Sequence, residues 1–148
     1  MSFTPHPALA RNTGFLLSRI GDITRRRFAE NLLPLELTPR MFGVMNMLQA
    51  EGAITQLALC RAVGMDPSSM VGAIDELEGR GLVERRRHPS DRRAHALHLT
   101  DAGLEVLGRA RQVARRSQQE LLAALSDEER AQLHELLLRL AGGLGGEA

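Results

Sequence analysis

Arginine is the side chain with the clearest chemistry in this sequence. Six of its 19 basic side chains fall between positions 80 and 93: Arg80, Arg85, Arg86, Arg87, Arg92 and Arg93. Only Glu84 and Asp91 oppose them there. Guanidinium groups at that density suit phosphate and make a poor core element. The other reactive side chains point to no reaction. There is no Gly-rich phosphate loop, no nucleophile elbow and no HExxH segment. Asp127, Glu128 and Glu129 are explained by the preference for negative charge at a helix N-terminus. His95 and His98 stand three apart in a β-prone run, so they project from opposite faces and cannot chelate one ion together; His88 adds no third ligand. Cys60, the single cysteine, excludes an intramolecular disulfide and any multi-cysteine metal centre, and reads as a buried thiol. The expectation is a binding protein, not an enzyme, with no catalytic residue, no metal and no cofactor.

The bulk properties narrow what such a protein binds. At 148 residues and 43% hydrophobic, the chain can bury a genuine core. Its net charge is only +1, so affinity for nucleic acid must come from local clustering. Four Phe and no Trp or Tyr disfavour stacking on single-stranded bases as the main mechanism. No apolar run approaches the ~18 residues of a membrane span. The N-terminal segment lacks the basic-then-apolar pattern of a signal peptide. No membrane association and a cytoplasmic location are expected.

The elements that must position the arginines are legible from caps and periodicity. A first helix is expected from Pro7 to Pro34, with Phe15, Leu16, Ile20, Ile23 and Leu32 at helical spacing. Thr38-Pro39 restarts the chain as N-cap and N1, and Phe42, Met45 and Leu48 form the next apolar stripe. Ala53-Ile54 reads as a brief extended piece. A third helix follows from about Thr55 to Val63, with Leu57, Ala58 and Val63 inward, and Gly64 supplies its turn. Asp66-Pro67 repeats the restart signal. The fourth helix reaches about Gly79 with Met70, Val71, Ile74 and Leu77 on its apolar side. Leu82–Leu99 then reads as a hairpin whose tip is charged. Thr100 caps a fifth helix carrying Leu104, Leu107, Ala114, Gln118, Leu121 and Leu125, and Ser126 with Glu129 opens a sixth through a capping box. Helix, turn, helix, hairpin is the order of a winged helix. The fold expected is mainly α: a winged helix-turn-helix over 36–99, with helices over 1–35 and 100–148 forming a dimerisation region. Those terminal stripes exceed what a small winged helix can cover, so a homodimer is expected.

Five segments carry a resemblance. They are L-x-L-T-P-R at Leu35–Arg40, I-T-Q-L-A at Ile54–Ala58, and D-E-L-E-x-R-G-L-V-x-R at Asp75–Arg85. P-S-D-R-R-A at Pro89–Ala94 and H-L-T-D-A-G at His98–Gly103 complete the set. Over roughly residues 8–142 the chain resembles the MarR/SlyA family of bacterial transcriptional regulators. The resemblance implies a dimeric winged-helix protein on a pseudo-palindromic double-stranded DNA operator, usually a repressor, often released by a small phenolic or carboxylate ligand.

Carried onto this sequence, the resemblance puts Pro67, Ser68, Ser69 and Gly72 near base edges in the major groove. It puts Arg93 in the minor groove, braced by Asp91, and Arg85 near the phosphate backbone. Arg86, Arg87 and Arg92 belong to the same wing with less defined aim, and Thr55 and Gln56 offer helix N–H groups to phosphate. The alternative for Ser68 and Ser69 is that they merely cap the helix. Gly72 stands where several relatives carry Arg or Thr, so this helix is short of bidentate base readers. Phe15, Arg19, Phe42 and Met45 are the ligand-pocket residues the resemblance implies, against plain core packing or surface charge. An alternative is a ligand-independent architectural or activating DNA-binding protein.

Overall fold

The computed structural model describes residues 3–87, 89–90 and 95–145. Ten elements follow in order: α1 (Pro7–Ala10), α2 (Thr13–Leu32), a 3₁₀ turn (Leu33–Leu35), α3 (Pro39–Glu51), α4 (Gln56–Val63), α5 (Pro67–Gly79), β1 (Val83–Arg87), β2 (His95–Leu99), α6 (Asp101–Leu121) and α7 (Asp127–Leu144). The chain forms two compact units, Met1–Ala114 and Arg115–Ala148.

Caps set most of the boundaries. Thr38 Oγ1 accepts from the Met41 N–H at 3.1 Å and Thr55 Oγ1 from the Ala58 N–H at 3.2 Å, each satisfying an orphan donor of the first turn. Asp66 does the same for α5. At α7, Ser126 Oγ accepts from the Glu129 N–H while Glu129 Oε2 accepts from the Ser126 N–H, completing the capping box. The helix expected to run unbroken from Pro7 is split at Arg11–Asn12. Asn12 Oδ1 accepts from the Phe15 N–H at 2.9 Å and starts α2 afresh, because a short polar side chain competes with the helix for backbone partners. The α-helix also ends at Leu32, before Pro34, and Glu36 takes a left-handed φ of 52° to turn the chain toward α3.

In the first unit, Leu32, Leu35, Leu37, Met41, Val44, Met45 and Leu48 pack with Leu59, Cys60, Met70, Ile74, Leu77 and Leu97 into one core. Met70, Ile74 and Leu77 keep the expected spacing, but Val71 is exposed. In α4 the inward residues are Leu59 and Cys60; Leu57 is 60% exposed and Ala58 is exposed too. Leu104 likewise faces outward, whereas Leu107 and Ala110 are buried. Helix α6 stops at Leu121 instead of reaching Leu125, where a turn closes with the Leu125 N–H donating to the Leu122 carbonyl at 3.0 Å. No residue of α7 is buried, and Leu136, Leu137, Leu138 and Leu140 stand exposed.

The sheet is one antiparallel pair with register Val83↔Leu99, Arg85↔Leu97 and Arg87↔His95. The extended piece expected at Ala53-Ile54 is a single bridge, Ile54↔Leu97, in which the Leu97 N–H donates to the Ile54 carbonyl at 3.0 Å. That bridge ties the entry of α4 to the hairpin. No described helix is long and apolar enough to cross a membrane.

Candidate nucleic-acid interface

Helices α4 and α5 make the helix-turn-helix. Gly64, at φ 69°, ends α4, and its N–H and that of Met65 both donate to the Cys60 carbonyl. Asp66 follows and caps α5: the Ser69 N–H donates to Asp66 Oδ1 at 2.9 Å and the Ser68 hydroxyl at 2.6 Å. Hydrogen bonds from Ser68, foremost, and from Ser69 hold the Asp66 carboxyl well below the usual carboxylate range. Ser68 thus spends its proton on Asp66 and offers a ligand only its acceptor lone pairs. Burial of Met70, Ile74 and Leu77 turns Pro67, Ser68, Val71 and Gly72 outward. An added Cβ at Gly72 would meet nothing within 4 Å. The outer face of α5 is therefore small and neutral in its first two turns and acidic beyond, at Asp75, Glu76 and Glu78.

The hairpin answers that acidity. Arg85 Nη2 lies 2.9 Å from Asp75 Oδ1 and its Nε 3.2 Å from Glu78 Oε2. The resemblance implies Arg85 near phosphate; in the structure its guanidinium is engaged in this double ion pair. The signal lay in Asp75 and Glu78, three apart and so on one helix face. Arg86 pairs with Glu84, two residues back on the same strand face. Arg87 is exposed at the end of β1. Asp91, Arg92 and Arg93 lie outside the described residues, as does His88. Thr55 and Gln56 form the half-buried start of α4, with Thr55 as its cap.

The base of the hairpin is knit to its neighbours. Gly81, at φ 70°, lets the chain leave α5 and turn into β1. Thr100 Oγ1 donates to the Gly81 carbonyl at 2.6 Å and accepts from the Gly103 N–H at 3.0 Å, while the Thr100 N–H donates to the Leu82 carbonyl. The guanidinium of Arg80, at the C-cap of α5, donates to the carbonyls of Glu36 at 2.5 Å and Leu35 at 2.9 Å. The linker from α2 to α3 is thereby fastened to the end of α5 across more than 40 residues of sequence.

The four ligand candidates separate. Met45 is fully enclosed in the core. Phe42 is half-buried in an edge-to-face pair with Phe28, centroids 5.3 Å apart. Phe15 is half-buried on α2. Arg19 alone lines an open groove of about 610 Å³ between α2 and the start of α3. Among the described residues, no three His, Cys, Asp or Glu side chains are placed to hold a metal ion. Cys60 is buried.

Comparison with known proteins meets this geometry. The MarR family model matches residues 37–95, from just before α3 to the first residue of β2. A candidate transcriptional regulatory protein for the hcr operon of Thauera aromatica is 37% identical over 136 residues, covering 91% of this chain and 82% of that protein. The chain belongs to the MarR family. The likeness to solved MarR-type structures extends beyond residues 37–95, over more than nine-tenths of the chain. The transcriptional repressor CouR, bound to a 23-mer DNA duplex, superposes with a TM-score of 0.83 at 34% identity, over 95% of this chain and 99% of that one. CouR from Rhodococcus jostii RHA1 bound to p-coumaroyl-CoA matches with a TM-score of 0.78 at 33% identity, over 92% and 96%. BpsR from Bordetella bronchiseptica, whose DNA binding is regulated by 6-hydroxynicotinic acid, matches at 0.80 and 25% identity, over 93% and 98%. This protein is accordingly a MarR-family transcriptional regulator with a winged-helix fold, and not an enzyme.

Proposed function

We propose that this regulator is a homodimeric, sequence-specific repressor on double-stranded DNA, acting in the cytoplasm and released by a small phenolic or carboxylate ligand. One observation carries the reading. The outward, uncharged first turns of α5 lead through Gly81 directly into a hairpin bearing Arg85, Arg86 and Arg87. A helix with that exposure enters a major groove N-terminus first, and the hairpin then reaches the adjoining backbone and minor groove. Pro67, Ser68, Ser69 and Gly72 face base edges. Arg87 and Arg92 meet phosphate, and Arg93, braced by Asp91, enters the minor groove, where A·T-rich DNA favours arginine. Thr55 and Gln56 present N–H groups to phosphate. Residues 36–99 form the DNA-binding lobe, and 1–35 with 100–148 the dimerisation region. The exposed leucines of α7 offer one apolar surface for a partner chain, and Leu9, Leu17 and Ile20 of the N-terminal helices offer another.

A second reading rests on the same outer face of α5, which has no bidentate base reader in its first two turns: an architectural or activating DNA-binding protein that needs no ligand. The decisive titration compares Arg93→Ala with Arg130→Ala on bound DNA. Arg130 is held by the Leu122 carbonyl and Asp127, remote in sequence from the wing. Arg93→Ala is expected to cut affinity more than about tenfold, the scale of one desolvated charge-assisted contact, and Arg130→Ala to change it little. Equal effects would sink the wing assignment.

A further inference from the structure

The groove between α2 and α3 is unusual for its charge. Four arginines, Arg19, Arg25, Arg26 and Arg40, line it with a single carboxylate, Asp22, itself tied to Arg25 at 3.4 Å. Among the described residues neither Arg26 nor Arg40 has an ion-pair partner. Arg19 stacks over the Phe3 ring at 5.2 Å, which leaves its N–H edges free to donate. Thr38 marks the N-terminus of the 13-residue α3 at the same place, adding the positive end of a helix dipole.

We propose that this groove binds the phosphate groups of an anionic effector. The inference rests on the reading above that a small ligand releases DNA, and adds phosphate groups to the phenolic or carboxylate chemistry named there. A lone carboxylate engages one arginine fork and leaves the remaining positive charges uncompensated. A phosphomonoester carries about −1.5 to −2 charges and three acceptor oxygens, and a pyrophosphate spans two such groups. Only Ala29 and Pro39 of the lining residues are apolar, so the polar partners the groove offers a ligand are mainly arginine forks. The groove's volume falls within the roughly 300–1,000 Å³ of sites for drug-sized ligands, which exceeds the needs of one carboxylate. Its location supplies a route to DNA. A ligand drawing α2 toward Thr38 and Arg40 acts on the linker whose carbonyls Arg80 grips from the end of α5. Occupancy is thereby coupled to the helix that meets the major groove.

The test is calorimetric titration of the full-length protein without DNA, using p-coumaroyl-CoA, coenzyme A, ATP and p-coumaric acid as probes. Phosphate-bearing probes are expected to bind at least about tenfold more tightly than the free acid. The double variant Arg26→Ala/Arg40→Ala should weaken them about tenfold per arginine and leave the free acid unchanged. Arg26→Lys/Arg40→Lys should recover part of the loss, because charge survives while the planar fork does not. A thioester preferred over ATP identifies an acyl-thioester ligand; ATP preferred over the thioester identifies a free nucleotide; equal affinity upholds the shared phosphate chemistry. Equal binding of thioester and free acid, or unchanged coenzyme A affinity in the double alanine variant, overturns the site. So does a double variant that loses DNA affinity while coenzyme A still binds, which would assign the groove to the DNA backbone. Coenzyme A binding that fails to release DNA upholds the site and refutes the effector reading separately.

Discussion

Gly103 is the position at which one added methyl group does most. A Cβ there would sit 2.0 Å from the Leu82 carbonyl oxygen, 3.0 Å from its carbon and 3.2 Å from Leu99 Cδ2. Ordinary contact needs roughly 3.5 Å, so the Leu82 carbonyl must retreat by more than about 1 Å. It is not free to do so. The Leu82 N–H donates to the Leu77 carbonyl at 2.9 Å, and the Leu82 carbonyl accepts from Thr100 at 3.1 Å. Overpacking costs about 1–3 kcal/mol and a broken buried hydrogen bond about 1 kcal/mol more. For a chain of this length each kcal/mol moves the melting temperature by roughly 2–4 °C. Gly103→Ala should therefore lower Tm by roughly 5–15 °C, and it should weaken DNA binding because the hairpin base moves with Leu82. Gly79→Ala is the control: exposed near the end of α5, with nothing within 4 Å of the new methyl group. It should raise Tm by up to roughly 4 °C through helix propensity. Circular dichroism melts at matched protein concentration decide the matter. A Gly103→Ala protein melting within about 2 °C of the wild type would refute the close-packed junction of α6 and wing.

Three further outcomes follow from the interface. Arg85→Ala should lower DNA affinity about tenfold by unmasking Asp75 and Glu78 toward phosphate, and adding Asp75→Asn and Glu78→Gln should restore much of it in anisotropy titrations; no recovery would show that Arg85 contacts DNA directly instead. Gly72→Arg should shift the sequence preference recovered by in vitro selection, since the outward site is open; an unchanged profile would remove α5 from base reading. Asp66, with its carboxyl held below its ordinary 3.8, contributes stability that is complete above that pH and lost as pH falls below it. The Tm gap between wild type and Asp66→Asn should thus narrow on acidification below pH 3.8, and a widening gap would contradict the cap.

What the sequence revealed were features with local causes. Thr38-Pro39, Asp66-Pro67 and the Ser126–Glu129 box each announce a helix start within four residues, and the structure keeps all three. Local pattern misled where two readings fit one spacing. Leu57 and Leu59 both suit an amphipathic α4, and only packing against the core selects Leu59. Asn12 reads as an ordinary helix interior residue until its carboxamide is seen capping α2. At the candidate site, the outward stripe of α5 and the arginine-bearing hairpin were legible. The Arg85 ion pairs, the Arg80 latch and the groove of Arg25, Arg26 and Arg40 were not, because each joins residues that only the fold brings together.

The proposed function depends above all on two copies of α5 and its hairpin reading one two-fold site. The most direct measurement is selection of bound fragments from a random duplex library, followed by footprinting of the winner. The result expected is a pseudo-palindrome with half-site centres about one helical turn, roughly 10–10.5 bp, apart or a multiple of it, occupied by one dimer and lost steeply with salt. Recovery of unrelated fragments with a continuous footprint, or of a single half-site bound by one chain, would contradict it.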